Sequence, residues 1–269
     1  MIQNITLGQY FPGNSFLHRL DPRMKLLLTL ALIILVFFVK GVVGYALLYG
    51  MIIACAALSH ISPKFLIKGM KPILFIIALT FVLNALFSSG KTVLFSWGIL
   101  TITQEGIMNA VYMTLRLVFL MICTQLMTLT TSPIALTEGL ELLLKPLQKI
   151  GFPAHELAMM MSIALRFIPT LLEETNKIMK AQAARGADFE SGNLLKRARA
   201  MVPLLVPLFV SAFRRADELA LAMEARCYHG GENRTRMKQL HMSRLDLYAA
   251  LVILAMVVLV TLERILLHV

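Results

Sequence analysis

The stretch MKLLLTLALIILVFFVK at 24–40 decides the fold class. Roughly 20 predominantly apolar residues cross a bilayer core, and no charge interrupts this run between Lys25 and Lys40. It starts too late, and lacks the small-residue cleavage site, for a secretory signal peptide. It is therefore read as a retained membrane helix. Comparable runs lie at about 42–58, 70–87, 107–130 and 247–262. With 58% hydrophobic residues, 15% charged residues and a mean hydropathy of +0.76, the chain is expected to be an all-α integral membrane protein with about five spans.

The charges orient those spans. With the N-terminus inside and five crossings, Lys40, Lys91 and Arg264 fall outside and Arg116 falls within the fourth span. The remaining 22 of the 26 Lys and Arg residues then lie inside, as the positive-inside preference requires. Most of the formal net charge of +11 is thus a matter of topology. No interleaved aromatic platform of the kind that binds nucleic acid accompanies it. Cys55, Cys123 and Cys227 do not make a disulfide framework. Around SWG at 96–98, within the outward segment 88–105, β-prone alternation predicts a short hairpin. Gly90-Lys91-Thr92 imitates the end of a phosphate-binding loop, but Ala85 stands where that loop needs glycine. The chain is not expected to hydrolyse ATP by itself.

Residues 131–245 form the longest non-spanning segment, and they read as punctuated helices. Three stretches follow from this: a membrane domain at 1–130, a coupling-helix domain at 131–245 and a last span at 246–269. Ser132 is a potential N-cap with Pro133 in the first turn. Gly151-Phe152-Pro153 breaks the chain. Leu157, Met161, Leu165, Ile168, Leu172 and Met179 then recur at helical spacing. After a second break at 191–193 comes a run to about 228, in which Pro203 and Pro207 are expected to bend or interrupt the helix. Both long runs pass from apolar to charged and finish alike, in Ala184-Arg185-Gly186 and in Ala225-Arg226-Cys227. Alanine lets another backbone approach closely, arginine complements the negative end of a helix dipole, and its planar fork suits a carboxylate. A pair of rigid, charged docking ends is the expectation. At Cys227, where glycine would be the easier residue, either the helix ends further on, near Gly230-Gly231, or the turn is strained.

Three stretches carry a family resemblance: GQYFPGNSFLHRLDPRMKL at 8–26, ALRFIPTLLEE at 164–174 with Ala184-Arg185-Gly186, and RRADELALAMEAR at 214–226. The chain resembles the transmembrane T component of energy-coupling factor (ECF) transporters over nearly its whole length. The resemblance implies a scaffold in a prokaryotic cell membrane, multi-pass, with a cytoplasmic domain of long coupling helices. Ala184, Arg185, Gly186, Ala225, Arg226 and Cys227 would dock on two partner ATPase subunits. ATP and Mg would be bound there, and no cofactor by this chain. The helices would pass motion to a separate substrate-binding membrane S subunit carrying a vitamin or metal ion. Met161, Leu165, Ile168, Pro169, Pro203 and Pro207 are the candidate S-subunit contacts, and the methionine-rich surface suits a scaffold shared by several such subunits.

Two other classes compete. A membrane enzyme lacks support, because the six histidines form no His-x-x-His or His-Glu-x-x-His pair and no Gly-x-Ser-x-Gly motif occurs. A channel or self-contained secondary transporter would place ionisable residues inside its spans. Arg116 is the main candidate, with Asn84 and Gln125 as polar company, but two similar membrane halves are not evident.

Overall fold

A computed structural model describes residues 10–88, 92–97, 100–189, 193–231 and 240–266. The mimic residues Gly90 and Lys91, the hairpin's Gly98, and Ser191-Gly192 of the second break lie outside them. The described chain divides into two compact units. One is built on Gly8–Gly139 with Leu240–Val269, the other on Leu140–Gln239.

In the first unit the apolar runs become helices α1 (Phe16–Arg19), α2 (Pro22–Phe38), α3 (Val42–Leu58), α4 (Pro63–Met70), α5 (Leu74–Phe87) and α6 (Gln104–Thr130). Helix α7 (Pro133–Leu144) begins in this unit, and α10 (Arg244–Leu266) completes it. A single 3₁₀ turn at Lys71–Ile73 joins α4 to α5, so Pro63–Phe87 runs as one 25-residue apolar element. That element, α6 and α10 are long and apolar enough to cross a membrane, with mean hydropathies of 2.1, 1.7 and 2.5, and α3 is a shorter apolar helix. The protein is a multi-pass membrane protein.

Between α5 and α6 lies the expected hairpin: β1 (Val93–Trp97) pairs antiparallel with β2 (Leu100–Thr103). Thr103 then caps α6, its hydroxyl accepting from the Gly106 N–H and donating to the Ser88 carbonyl. The core sits among α2, α3, α6 and α10, where Val36, Leu48 and Phe119 are fully buried. Tyr45 and Tyr112 stack 5.4 Å apart, and the Tyr49 hydroxyl donates to the Leu115 carbonyl at 2.7 Å. In lipid, close packing and such interhelical bonds hold helices together, because the apolar solvent supplies no hydrophobic drive between them. Around this core the outer faces are apolar and exposed, as at Phe75, Ile53 and Leu254.

One end of this unit is held by a buried polar cluster. Lys25 donates to the Thr130 carbonyl at 2.9 Å and lies 3.4 Å from the Thr131 hydroxyl and the His18 carbonyl. Asp246, 2% exposed, accepts from the Asp21 N–H at 2.8 Å and from the N–H and hydroxyl of Ser243. Asp21 in turn caps α2 through the Arg23 N–H. Three segments far apart in sequence are thereby fixed to one another.

The second unit contains two 31-residue helices, α8 (Ala154–Ala184) and α9 (Leu194–Glu224). Ser132 accepts from the Ala135 N–H and α7 starts at Pro133, as expected. Gly151, at φ 87°, makes the predicted break before α8. Pro203 and Pro207 do not interrupt α9, and α8 likewise continues through Pro169. All three prolines are exposed.

A candidate docking site at two matched helix ends

Nine residues at most separate α8 from α9, a reach of roughly 30 Å, whereas each helix is about 46 Å long. The second helix therefore cannot lie parallel beside the first; packed side by side, the two must run antiparallel. The contacts between them bear this out. Ile163, Phe167 and Leu171 of α8 and Ala212, Arg215 and Leu219 of α9 line one groove together. Glu174 accepts from Arg215 across the pair at 2.7 Å. Past the end of α9, Gly231 lies so close to the His155 ring, at the start of α8, that no side chain fits there. Because the two helices are antiparallel, their C-terminal tips stand at opposite ends of the pair.

The tips themselves share one geometry. At the end of α8 the Gly186 N–H donates to the Ala183 carbonyl and the Ala187 N–H to Gln182, both at 3.0 Å. This is a Schellman turn, and it needs a left-handed residue after the last helical one. Gly186 supplies it at φ 89°. At the end of α9 the Cys227 N–H donates to the Glu224 carbonyl at 2.8 Å and the Tyr228 N–H to Met223 at 3.0 Å. The pattern is the same, shifted by 41 residues (226 − 185), and Cys227 occupies the left-handed position at φ 55°. Of the two alternatives open at Cys227, the strained turn is the one realised; Gly230-Gly231 do not end the helix.

A non-glycine residue in that conformation costs on the order of 1–2 kcal/mol. Cys227→Gly is therefore expected to raise stability by about 1 kcal/mol, read as a higher melting temperature in detergent. An unchanged or lower melting temperature would show that the turn is unstrained. Arg215→Ala, in contrast, should cost no more than about 1 kcal/mol, because its pair with Glu174 is partly exposed. A double-mutant cycle with Glu174→Ala measures it.

Ala184, Arg185, Gly186, Ala225, Arg226 and Cys227 are all exposed. Each arginine therefore stands at a helix tip, beside the partial negative charge of the last carbonyls, with its guanidinium free to reach outward. Arg226 also borders a groove of about 530 Å³ shared with Met159, Ile163 and Met223. The six candidate S-subunit contacts are divided between the helices. Met161, Leu165 and Ile168 line a face of α8 distinct from the one at Ile163, Phe167 and Leu171 that meets α9. Pro169 is exposed on α8, as are Pro203 and Pro207 on α9. Beside those two prolines, Val202, Leu205, Val206, Phe209, Val210 and Phe213 form an exposed apolar stripe at helical spacing. Neither helix buries the whole apolar part that its sequence suggests.

The features of the rival classes are dispersed. The Arg116 guanidinium sits 5.1 Å from the Phe37 ring and touches Met113. Gln125 donates to the Phe65 carbonyl and Asn84 to Thr80. These are helix–helix and within-helix contacts, and no ion pair of Arg116 occurs among the described residues. Nor does any group of three or more His, Cys, Asp or Glu among those residues have the placement to hold a metal ion. Sequence reading overlooked the bond between His155 and Glu141, 2.8 Å apart in the second unit. Their separation of 14 residues gave no periodic signal.

The family described as CbiQ, cobalt transport protein, matches residues 13–237. A protein of Thermosediminibacter oceani named energy-coupling factor transporter transmembrane protein EcfT is 60% identical over 92% of this chain and 93% of its own. The chain belongs to this CbiQ/EcfT family. Further EcfT relatives come from Acidaminococcus fermentans, 56% identical over 98% of both chains, and Bacillus subtilis, 50% identical over 89% of this chain and 91% of its own. The EcfT match spans both helix tips and the membrane helices alike.

Proposed function

We propose that this chain is the transmembrane scaffold of an ECF-type importer driven by ATP. One observation carries the reading: two copies of the same arginine-bearing turn stand at opposite ends of one antiparallel helix pair. A single docking event needs one such end. Two matched ends suit two copies, or two close relatives, of one partner. In this reading Arg185 and Arg226 each enter an acidic groove on an ATPase subunit, and ATP and Mg are bound and turned over there. Closure of the two ATPases moves the tips toward each other. The antiparallel pair then converts that motion into a change of crossing between α8 and α9, which their exposed apolar faces pass to a substrate-binding S subunit.

The chain lies in a prokaryotic plasma membrane with its N-terminus and its α8–α9 unit in the cytoplasm, the side to which the positive charge assigns them. The cargo is a vitamin or metal ion, selected in the S subunit. Helix α8 has enough length and apolarity to span a bilayer, at a mean hydropathy of 1.2. In this reading α8 lies at the membrane surface instead, a position its charged half with Glu173, Glu174, Lys177 and Lys180 favours.

A pull-down of the tagged chain from its native membrane in mild detergent tests the assembly. Two ATPase polypeptides, or two copies of one, together with at least one small membrane protein are expected. Recovery of the chain alone, with substrate transport by that chain in liposomes, would overturn the scaffold and favour a self-contained transporter.

A further inference from the structure

The first unit contains a cleft that the docking account does not use. Its volume is about 340 Å³, within the range of about 300–1,000 Å³ typical of ligand sites. Its walls come from α2 (Leu28, Leu32), α3 (Ala54, Cys55, Leu58), α6 (Cys123, Leu126) and α10 (Tyr248, Val252), with Phe16 and Leu20 at one end. Among the described residues, Lys25, Thr29, Thr130 and Tyr248 alone bring charged or hydroxyl groups to the lining. Helices α3 and α10 are tied to each other at one end. At that end the Gly44 N–H donates to Glu263 at 2.9 Å, so the carboxylate caps α3. Toward the opposite ends, Ala54 and Leu58 on one side and Tyr248 and Val252 on the other are exposed and frame an opening.

An apolar space of this size is unfavourable when empty, because its walls forgo dispersion contacts, and it offers water too few partners. The surrounding solvent of these helices is lipid, so an acyl chain is the filler at hand. The rim adds a charge preference. Lys25 is already engaged by the Thr130 carbonyl and balanced by Asp21 and Asp246, and Arg23 lies beside Asp21. Arg19, adjoining Leu20, and Arg244, one turn before Tyr248, are exposed. Neither lines the cleft itself, but each is near in sequence to a residue that does, Leu20 and Tyr248 respectively.

We infer that this cleft holds an acyl chain of an anionic phospholipid, with Arg19 and Arg244 gripping the phosphate-bearing head. The site spans about 10 Å along the helix axes, so it takes the part of the chain nearest the glycerol and leaves the tail in the bilayer. This inference rests on the membrane embedding of the first unit and does not depend on which partners α8 and α9 engage.

The test uses the full chain in nanodiscs of phosphatidylglycerol and phosphatidylcholine, doped with phosphatidylglycerol or phosphatidylcholine bearing a diazirine near the top of one acyl chain. Mass spectrometry locates the adducts. Labelling by the phosphatidylglycerol probe at 51–58 and 248–253 is expected to exceed that at the lipid-facing control 75–82 at least fivefold. Ala54→Trp, at the open rim, should reduce cleft labelling by a similar factor, and Arg19→Gln with Arg244→Gln should equalise the two headgroups. The wild-type comparison stands even where Ala54→Trp disturbs folding. Cleft labelling no higher than the control would overturn the site, and equal labelling by both probes in the wild type would overturn the anionic head. Cross-links from the cleft to a co-purified membrane protein, without lipid adducts, would replace the lipid with a protein occupant.

Discussion

Arg185→Glu and Arg226→Glu are each expected to release one end of the chain from the proposed ATPase partner, and the double variant to release both. Removing one member of a desolvated charge pair costs about 2–5 kcal/mol, much of it the penalty on the partner left unpaired. Charge reversal adds repulsion to that loss. Each single variant should therefore bind ATPase at least about 30-fold more weakly and lose most coupled uptake. Membrane insertion should be intact, because both side chains are exposed and neither contributes to a core. Arg185→Lys keeps the charge but loses the planar fork, and should fall between. Co-purification of the ATPases and uptake in whole cells measure the effect. Normal assembly and uptake in the double variant would remove the docking role from both residues.

Asp246→Ala should be the most destabilising of the polar substitutions considered. It removes the acceptor of the Asp21 N–H and both of the Ser243 donors, and it takes a compensating charge from Lys25, which is itself buried. Breaking a buried charge network in this way costs about 3–5 kcal/mol, equivalent to a drop in melting temperature of about 10 °C. Asp246→Asn keeps one acceptor oxygen and should lose about half as much. Thermal unfolding in detergent, followed by size exclusion, checks both. An Asp246→Ala variant melting within about 2 °C of the wild type would show that the cluster does not hold α2, α6 and α10 together.

The expected runs at 70–87, 107–130 and 247–262 coincide with helices long and apolar enough to cross a bilayer, whereas α2 and α3 over the other two are 17 residues each. Such runs were legible because they need no knowledge of neighbours. The same holds for local punctuation. Ser132, Pro133, Gly151 and Gly186 each act within a few residues of themselves, and each has the role its chemistry suggests. The hairpin at 93–103 was similarly local. Long-range pairings were not legible. Asp21 and Asp246 are 225 positions apart, and nothing in either neighbourhood announces the other. Which side of α8 meets α9 was hidden for a different reason: both Met161-Leu165-Ile168 and Ile163-Phe167-Leu171 are apolar. Periodicity therefore selected a helix without selecting its buried face.

Of the two outcomes expected at Pro203 and Pro207, interruption does not occur: both lie inside the continuous helix α9. Cys227 was legible as a departure from glycine but not in its consequence, since a strained turn and a longer helix fit the sequence equally. Its φ of 55° decides between them. The opposite placement of the two tips was half legible: so short a connection excludes parallel packing of α9 on α8, but that the two helices pack at all comes from contacts such as Arg215 with Glu174.

The central claim is that each helix tip holds its own ATPase, and site-specific photo-cross-linking tests it most directly. A photoreactive amino acid placed at Ala184 or at Ala225, beside each arginine, is activated in native membranes. Each position alone should capture an ATPase polypeptide, and the chain carrying both should form a product with two ATPases attached. Capture at only one position, or a doubly labelled chain that never carries more than one ATPase, would contradict the account.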